Sequence, residues 1–311
     1  MSYDFNAVKK RAEHCRNVII SLMKENGYYA SIFNSDSGLE RIKQFLLSFQ
    51  DPQAMNFDTH SEPSPKPRLF PLFPGIKNVI LHDIDRFQEA KILENCFVEI
   101  KEDALNLERA NHQFINFGIR EMIKSSWQVH LLTPPQQHAS QNKPYLCSNT
   151  IQILQSLPNR CQIYPWGDGV FSAINPGAHI PAHYSVDNFH VRCMLGIVVP
   201  NGCSMRVGNI ETEWQEGKTL FFEDSFEHEV WNRGQSRRII LIQDFWHPDL
   251  SAHEKQVLNI GFSHPQIRHE IYTFLGNEFS QYTKYLNQMT HRMELPNNYF
   301  KYWDEQIEVY N

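Results

Sequence analysis

Between Gly169 and Phe245, seven short runs rich in Val, Ile and Phe alternate with turns rich in Gly, Asn and Pro. They are Gly169–Ile174, Val191–Val199, Ser204–Val207, Glu211–Trp214, Thr219–Glu223, His228–Trp231 and Arg238–Phe245. Runs so short and closely spaced predict an all-β barrel or sandwich. The flanks differ. Phe5, Val8, Ala12, Cys15, Ile19 and Leu22 recur every three or four residues and predict a helix ending at Gly27. Ser37-Gly38-Leu39-Glu40 has the form of a capping box and opens a second helix that buries Leu39, Ile42, Leu46 and Phe49. Prolines at 52, 63, 65, 67, 71 and 74 withhold backbone donors and predict an extended connection. A further helix is expected over roughly Asp83 to Arg109. Helix returns at Ser251, with a second capping box through Glu254, and an amphipathic stretch runs from Pro265 to about Met293. The expected organisation is a helical region and proline-rich connection over 1–66, a domain over 67–250 with its β core at about 161–250, and C-terminal helices over 251–311.

Charge and cysteine usage narrow the classes. Lys plus Arg total 29 against 35 Asp plus Glu, a net charge of −6, which argues against a general nucleic-acid binder. No run of eighteen apolar residues exists, and Val18–Met23 has neither the length of a membrane span nor the layout of a cleaved signal. The six cysteines form no CxxC, so reduced thiols and a cytoplasmic location are expected; Cys147 and Cys161 flank one short segment and can pair. The aromatic residues Tyr272, Phe274, Phe279, Tyr282 and Tyr285 are expected to pack helices.

Two histidines sit where chemistry is plausible. His183 follows the turn-rich Asn175–Pro181, and His228 lies inside Glu223-Asp224-Ser225-Phe226-Glu227-His228-Glu229-Val230-Trp231. They are 45 residues apart (228 − 183), too far for a local metal site but natural if two strands meet in a rolled sheet. Imidazole suits iron, zinc and copper alike, so the pair alone selects no metal. Each ring equally fits a hydrogen-bonded structural role. Arg238 adds to the pattern. If Asn232–Ser236 is a hairpin turn with Trp231 opposite Arg237, then His228, Val230 and Arg238 share a face, because side chains alternate with period two. Arg238 would then stand about 7 Å from His228 along the strand, a separation that suits a short dicarboxylate chelating a metal at one end. The alternative register buries Arg237 instead. Asp224 and Glu227 are candidates either to orient His228 or to bond turn backbone, and the backbone role is the one expected of Glu227.

The run from Gly169 to Leu250 resembles the aspartyl/asparaginyl β-hydroxylase family of iron(II)- and 2-oxoglutarate-dependent oxygenases, which includes a lipid A hydroxylase branch. The resemblance is carried by Phe171-Ser172, Asn175-Pro176-Gly177-x-His179, His183, Arg192-x-x-Leu195-Gly196-Ile197-Val198-Val199-Pro200, Trp214-x-Glu216-Gly217-Lys218, Asp224–Trp231 and Asp244-x-Trp246-His247-Pro248. Upstream, Arg68-Leu69-Phe70-Pro71-Leu72-Phe73-Pro74-Gly75 is similar to the family's entry into its domain. The resemblance implies a double-stranded β-helix (a jelly roll, cupin-like) with His183 and His228 as iron ligands. It implies that Arg238 and Ser172 bind the distal carboxylate of 2-oxoglutarate and that Arg192 serves carboxylate recognition. The acid that many such iron sites place two residues after the first histidine is Ser185 here, which the family replaces with water. His179 and His247 match positions with structural roles.

Three positions depart from the branch acting on growth-factor-like domains. Met194 stands where that branch has histidine, His190 where it has arginine, and Val170 where it has a basic residue. His190 and Met194 are therefore candidate substrate contacts. The implied function is a dioxygenase using Fe(II), 2-oxoglutarate and O2 to hydroxylate an aspartyl, asparaginyl or related amino-acid side chain in a small molecule or peptide. The alternatives are a non-catalytic metal- or 2-oxoglutarate-binding module, an enzyme of another reaction type on the same fold, and a lipid acyl-chain hydroxylase.

Overall fold

The computed structural model describes residues 5–33, 38–51, 63–67, 69–110, 114–116, 127–132, 147–161, 169–264, 267 and 270–271. Helices α1 (Phe5–Glu25), α2 (Tyr29–Phe33) and α3 (Glu40–Ser48) come first. The N-cap of α3 is Leu39, whose side chain cannot cap, while Ser37 lies outside the described residues. The helix expected over 83–109 is broken into a 3-10 turn (Ile84–Arg86), α4 (Gln88–Asn95) and α5 (Phe97–Arg109). Phe87 leaves the helical region (φ −121°, ψ 105°) and stacks on Phe221 with ring centroids 4.1 Å apart. Tertiary packing thus overrides a continuous helical pattern. Helices α6 (Ser148–Ser156) and α7 (Ala252–Phe262) follow, and Ser251 with Glu254 forms the expected capping box on α7. The amphipathic stretch of 265–293 and its aromatic residues lie almost wholly outside the described residues.

Strands β1 (Ile115–Asn116), β2 (Trp127–Leu131), β3 (Val170–Ile174), β4 (His179–His183), β5 (His190–Val198), β6 (Cys203–Val207), β7 (Ile210–Glu213), β8 (Thr219–Phe222), β9 (His228–Asn232) and β10 (Arg238–Trp246) form two antiparallel sheets. One has the order β1-β2-β3-β10-β5-β8 and the other β4-β9-β6-β7. All seven expected runs are strands. Strands β1, β2 and β4 are additions, and β4 lies where a turn-rich lead into His183 is expected. The sheets make a double-stranded β-helix with helical flanks.

The larger sheet buries both faces. On β10 the odd positions Ile239, Leu241 and Phe245 join the core beneath α4, α5 and α6, while Ile240 and Ile242 join the core between the sheets. Strands β3 and β5 divide in the same way: Phe171, Val191, Cys193 and Leu195 pack outward against helices, and Val170, Ile174 and Met194 face inward. Alternation then places Ser172, His190, Arg192, Arg238 and Asp244 on the inner face.

A third core joins α1, α3 and α7 to Phe70, Phe73, Phe189 and Trp246. Phe45 is its aromatic hub, with ring centroids 5.0 Å from Phe49, 5.3 Å from Phe73, 5.9 Å from Phe189 and 6.2 Å from Phe262. Beside it, Phe70 N donates to Val186 O and Phe73 N to Asn188 Oδ1, fixing the proline-rich approach against the barrel. Arg41 ties α3 to α7 through Glu254 and through the carbonyl of Asp249. Cys147 and Cys161 form no disulfide and lie in different cores, so the expected option of pairing is not realised. No helix among the described residues is long and apolar enough to cross a membrane. Truncating the aromatic hub by Phe45→Ala is expected to cost about 3–5 kcal/mol, read as a lower midpoint in urea unfolding.

Candidate active site

His183 and His228 are direct cross-strand partners on β4 and β9. Their ring centroids lie 4.0 Å apart with the planes at 53°. Alternation from Ile180, which faces the core, would turn His183 outward. A bulge between Ile180 and His183 inserts one extra residue and turns it back toward His228. Pro181, which has no N–H to donate, sits inside that bulge.

The two imidazoles are prepared alike. His183 Nδ1 lies 2.7 Å from Pro181 O, and His228 Nδ1 lies 3.0 Å from Phe226 O. A carbonyl can only accept, so each Nδ1 carries a ring hydrogen and the backbone fixes each ring's orientation. A histidine that binds a metal through one ring nitrogen commonly donates its other N–H to a backbone carbonyl in this way. Phe222 packs edge-on to His228 at 5.5 Å and walls one side.

Arg238 is inward-facing, but not by the expected hairpin. Strand β9 ends at Asn232 in the smaller sheet, and the chain crosses to the larger sheet, where Arg238 pairs with Ile174 of β3. Arg238 therefore belongs to the wall opposite His228 and is not its neighbour along one sheet. Arg237 points away to Glu108 and Gln128. Asn232 fixes the crossing, its amide donating to Ile174 O and Ser236 O while its oxygen accepts from Gly234 N.

The Arg238 guanidinium is 1% exposed and lies 4.6 Å over the Trp214 ring. Its Nε and Nη1 have no hydrogen-bond partner among the described residues. Burial pulls its pKa down to about 10, so it remains charged at neutral pH. A desolvated cation with orphaned donors is costly unless an anion completes it. Nearby, Ser172 Oγ accepts from Trp127 Nε1 at 3.0 Å, leaving the hydroxyl hydrogen to donate. These two residues can hold a carboxylate.

Arg192 is in a different state. It makes a bidentate pair with Asp244, Nε to Oδ1 at 2.9 Å and Nη2 to Oδ2 at 3.0 Å, and its Nη1 meets Asp224 Oδ2 at 2.9 Å. His190 bridges Asp187 (Nδ1 to Oδ1, 2.9 Å) and Asp224 (Nε2 to Oδ1, 3.1 Å). Burial opposes charge on Asp224, but Arg192 and His190 outweigh it and hold the carboxyl well below its usual range. For His190, burial is outweighed by Asp187, Asp224 and Asp244, which raise the imidazole well above 6.5. Asp224 thus engages Arg192 and His190, while Glu227 bonds Arg206 and Tyr184 and not turn backbone. Met194 is a buried apolar part of the inner wall, between Ile242 and Leu220 in register.

Among the described residues a second cluster has the composition of a metal site: His82, Glu223 and His247, with candidate ligand atoms within 4.8 Å of one another. Glu223 Oε1 lies 3.2 Å from His82 Nε2 and 3.3 Å from His247 Nε2, and it also accepts from Val79 N. Asp249 N donates to His247 Nδ1, which places the His247 hydrogen on Nε2, aimed at Glu223. That tautomer offers no Nε2 lone pair to an ion, so the cluster is a hydrogen-bonded clasp that holds the segment leading to Asp224 and His228. Sequence reasoning gives His247 a structural role but misses His82 and Glu223, which no local spacing connects. The solvent-side His179 stacks on Trp231 at 5.1 Å and pairs with Glu229.

Arg238→Met removes the orphaned charge while keeping volume. It is expected to raise the denaturation midpoint of the ligand-free protein and to abolish any stabilisation by added 2-oxoglutarate, both readable by thermal shift. The raised His190 contributes stability in full below about pH 6.5, its ordinary value, and loses it as pH climbs toward the folded-state value. Urea midpoints should therefore fall from pH 6.5 to about 8, and fall less in His190→Asn.

The family model for aspartyl/asparaginyl beta-hydroxylase matches residues 94–248. The chain is 36% identical over 120 residues to aspartate beta-hydroxylase domain-containing protein 2 of Mus musculus, covering 38% of this chain and 35% of that protein. It is 44% identical over 89 residues to aspartyl/asparaginyl beta-hydroxylase of Homo sapiens, covering 28% of this chain and 12% of that protein. The chain thus spans about a third or less of the length of these relatives. A Pseudomonas putida prolyl-4-hydroxylase aligns at 14% identity and TM-score 0.36, over 51% of this chain and 99% of that one. With its motifs in order along one β-helix and the family match running from α4 past the end of β10, residues 94–248 of this chain are those of the aspartyl/asparaginyl β-hydroxylase family.

Proposed function

We propose that the protein is an iron(II)- and 2-oxoglutarate-dependent dioxygenase that hydroxylates an unactivated C–H, at the β-carbon of an aspartyl, asparaginyl or related amino-acid side chain. The observation that carries this reading is the Arg238 guanidinium, buried inside the barrel with orphaned donors, opposite two imidazoles whose Nδ1 atoms are held by backbone carbonyls. A dicarboxylate that ligates a metal between the histidines and reaches Arg238 would satisfy both halves of the site.

In this reading His183 and His228 hold the metal through Nε2. Their Nδ1 hydrogens, bonded to Pro181 O and Phe226 O, fix ring orientation so that no reorganisation is needed on loading. Arg238 and Ser172 bind the distal carboxylate of 2-oxoglutarate, and Trp214 and Trp127 keep water from that end. Arg192, already held by Asp224 and Asp244, presents its remaining N–H groups to the inner space as a fixed donor. When bound, iron, 2-oxoglutarate and O2 would supply the oxidation, one oxygen atom going to the substrate C–H and the other to succinate with loss of carbon dioxide. The protein's part is to aim the substrate C–H and exclude water.

The test is cosubstrate turnover. Purified protein given Fe(II), ascorbate and 2-oxoglutarate in air should form succinate, and His228→Ala should reduce that rate at least ~100-fold, the order expected on losing a metal ligand. Succinate formation that persists unchanged in His228→Ala rules the assignment out.

A further inference from the structure

The charges inside the barrel bear on what the substrate can be, and this inference rests on the oxygenase reading. Strands β3, β5, β8, β9 and β10 have every inner-facing position described, so their ionised groups can be followed pair by pair. Arg238 has no carboxylate partner there and is the group the distal carboxylate of the cosubstrate would complete. Arg192 is enclosed by two carboxylates, Asp224 and Asp244, at 2.9–3.0 Å. His190, one inner-facing step away, is bracketed by Asp187 and Asp224. Three buried acids therefore surround two bases at that end of the barrel, and the cluster carries no positive surplus. The adjoining inner positions Val170, Met194 and Phe222 are apolar and buried.

A second carboxylate entering this space would meet no uncompensated cation on those five strands. It would be desolvated beside Asp224 and Asp244, and an unpaired buried carboxylate is strongly disfavoured. An amide or a hydrocarbon group pays no such penalty. It can take hydrogen bonds from the remaining Arg192 N–H groups and lie against Met194 and Phe222.

We propose that the group this protein presents for hydroxylation is uncharged, so that of the two side chains in the family's name the asparaginyl amide is accepted and the aspartyl carboxylate is rejected. The ion-paired Arg192 is then a neutralised donor that reads an amide or cosubstrate oxygen without attracting a free acid. The same charge balance predicts that selectivity is insensitive to moderate salt, because the pairs that set it are buried.

Two degenerate peptide libraries, identical except for a fixed central Asn or a fixed central Asp, test this with the full-length chain, Fe(II), ascorbate and 2-oxoglutarate. Oxygen incorporation at the central residue is read by mass spectrometry, with succinate measured in the same reactions and His228→Ala as background. The expected result is at least ~10-fold more oxidation of the Asn library, a modest share of the discrimination that an unpaired buried charge can impose. Equal or greater oxidation of the Asp library overturns the proposal. So does oxidation of neither library while succinate still forms, an outcome that leaves the oxygenase reading standing. Absence of succinate in every reaction removes that reading, and this inference with it.

Discussion

Strand β10 has no solvent side, and the site depends on that constraint. All nine of its residues are buried, between β3 and β5 laterally and between helices and the smaller sheet above and below. Period-two alternation then forces a strict division: Ile239, Leu241 and Phe245 belong to the helical side, while Arg238, Ile240, Ile242 and Asp244 look into the barrel. A one-residue slip would exchange the two sets and send both charges into an apolar core. The packing of α4, α5 and α6 on the outer face therefore also fixes the polarity of the inner one.

Two inner-facing arginines illustrate how environment assigns roles to one residue type. Arg192 meets two aspartates, and its charge is compensated before any ligand arrives. Arg238 meets an indole face and orphaned space, and its charge awaits a partner. Pairing Arg192 stabilises the native chain, whereas leaving Arg238 unpaired stores a cost that a bound anion can offset. The contrast is set by Asp224 and Asp244 alone.

Much of this was legible in the sequence. Each of the seven runs between Gly169 and Phe245 became a strand, because β-branched and aromatic residues between turn formers leave few alternatives. The two motifs Leu195–Pro200 and Trp214–Lys218 turn out to meet: Gly217 N donates to Gly196 O, and a Cβ on Gly196 would lie 2.4 Å from Gln215 O. Long-range pairing was the harder part. The inward direction of Arg238 is as expected, but the hairpin used to derive it does not exist, since a short loop can join two sheets as readily as two neighbouring strands. Strand β4 was hidden by Asn, Pro and Gly, and the break at Phe87 arises from stacking on Phe221, a contact 134 residues away in sequence (221 − 87). The partners of His190 and Arg192 were equally out of reach, because Asp187, Asp224 and Asp244 converge only in three dimensions.

The extra residue in β4 makes the pairing of the two imidazoles depend on an irregular ladder. Between Ile180 and His183 the strand advances three residues while β9 advances two, from Val230 to His228. Losing either Pro181 or Ala182 would restore a regular ladder in which His183, two residues from Ile180, still faces His228, whereas a regular ladder at the present length would turn His183 to the outside of the barrel. At its present length the strand must therefore keep its bulge for the two rings to meet. The β6–β7 turn at Gly208, on the far edge of the same sheet, faces no comparable parity rule.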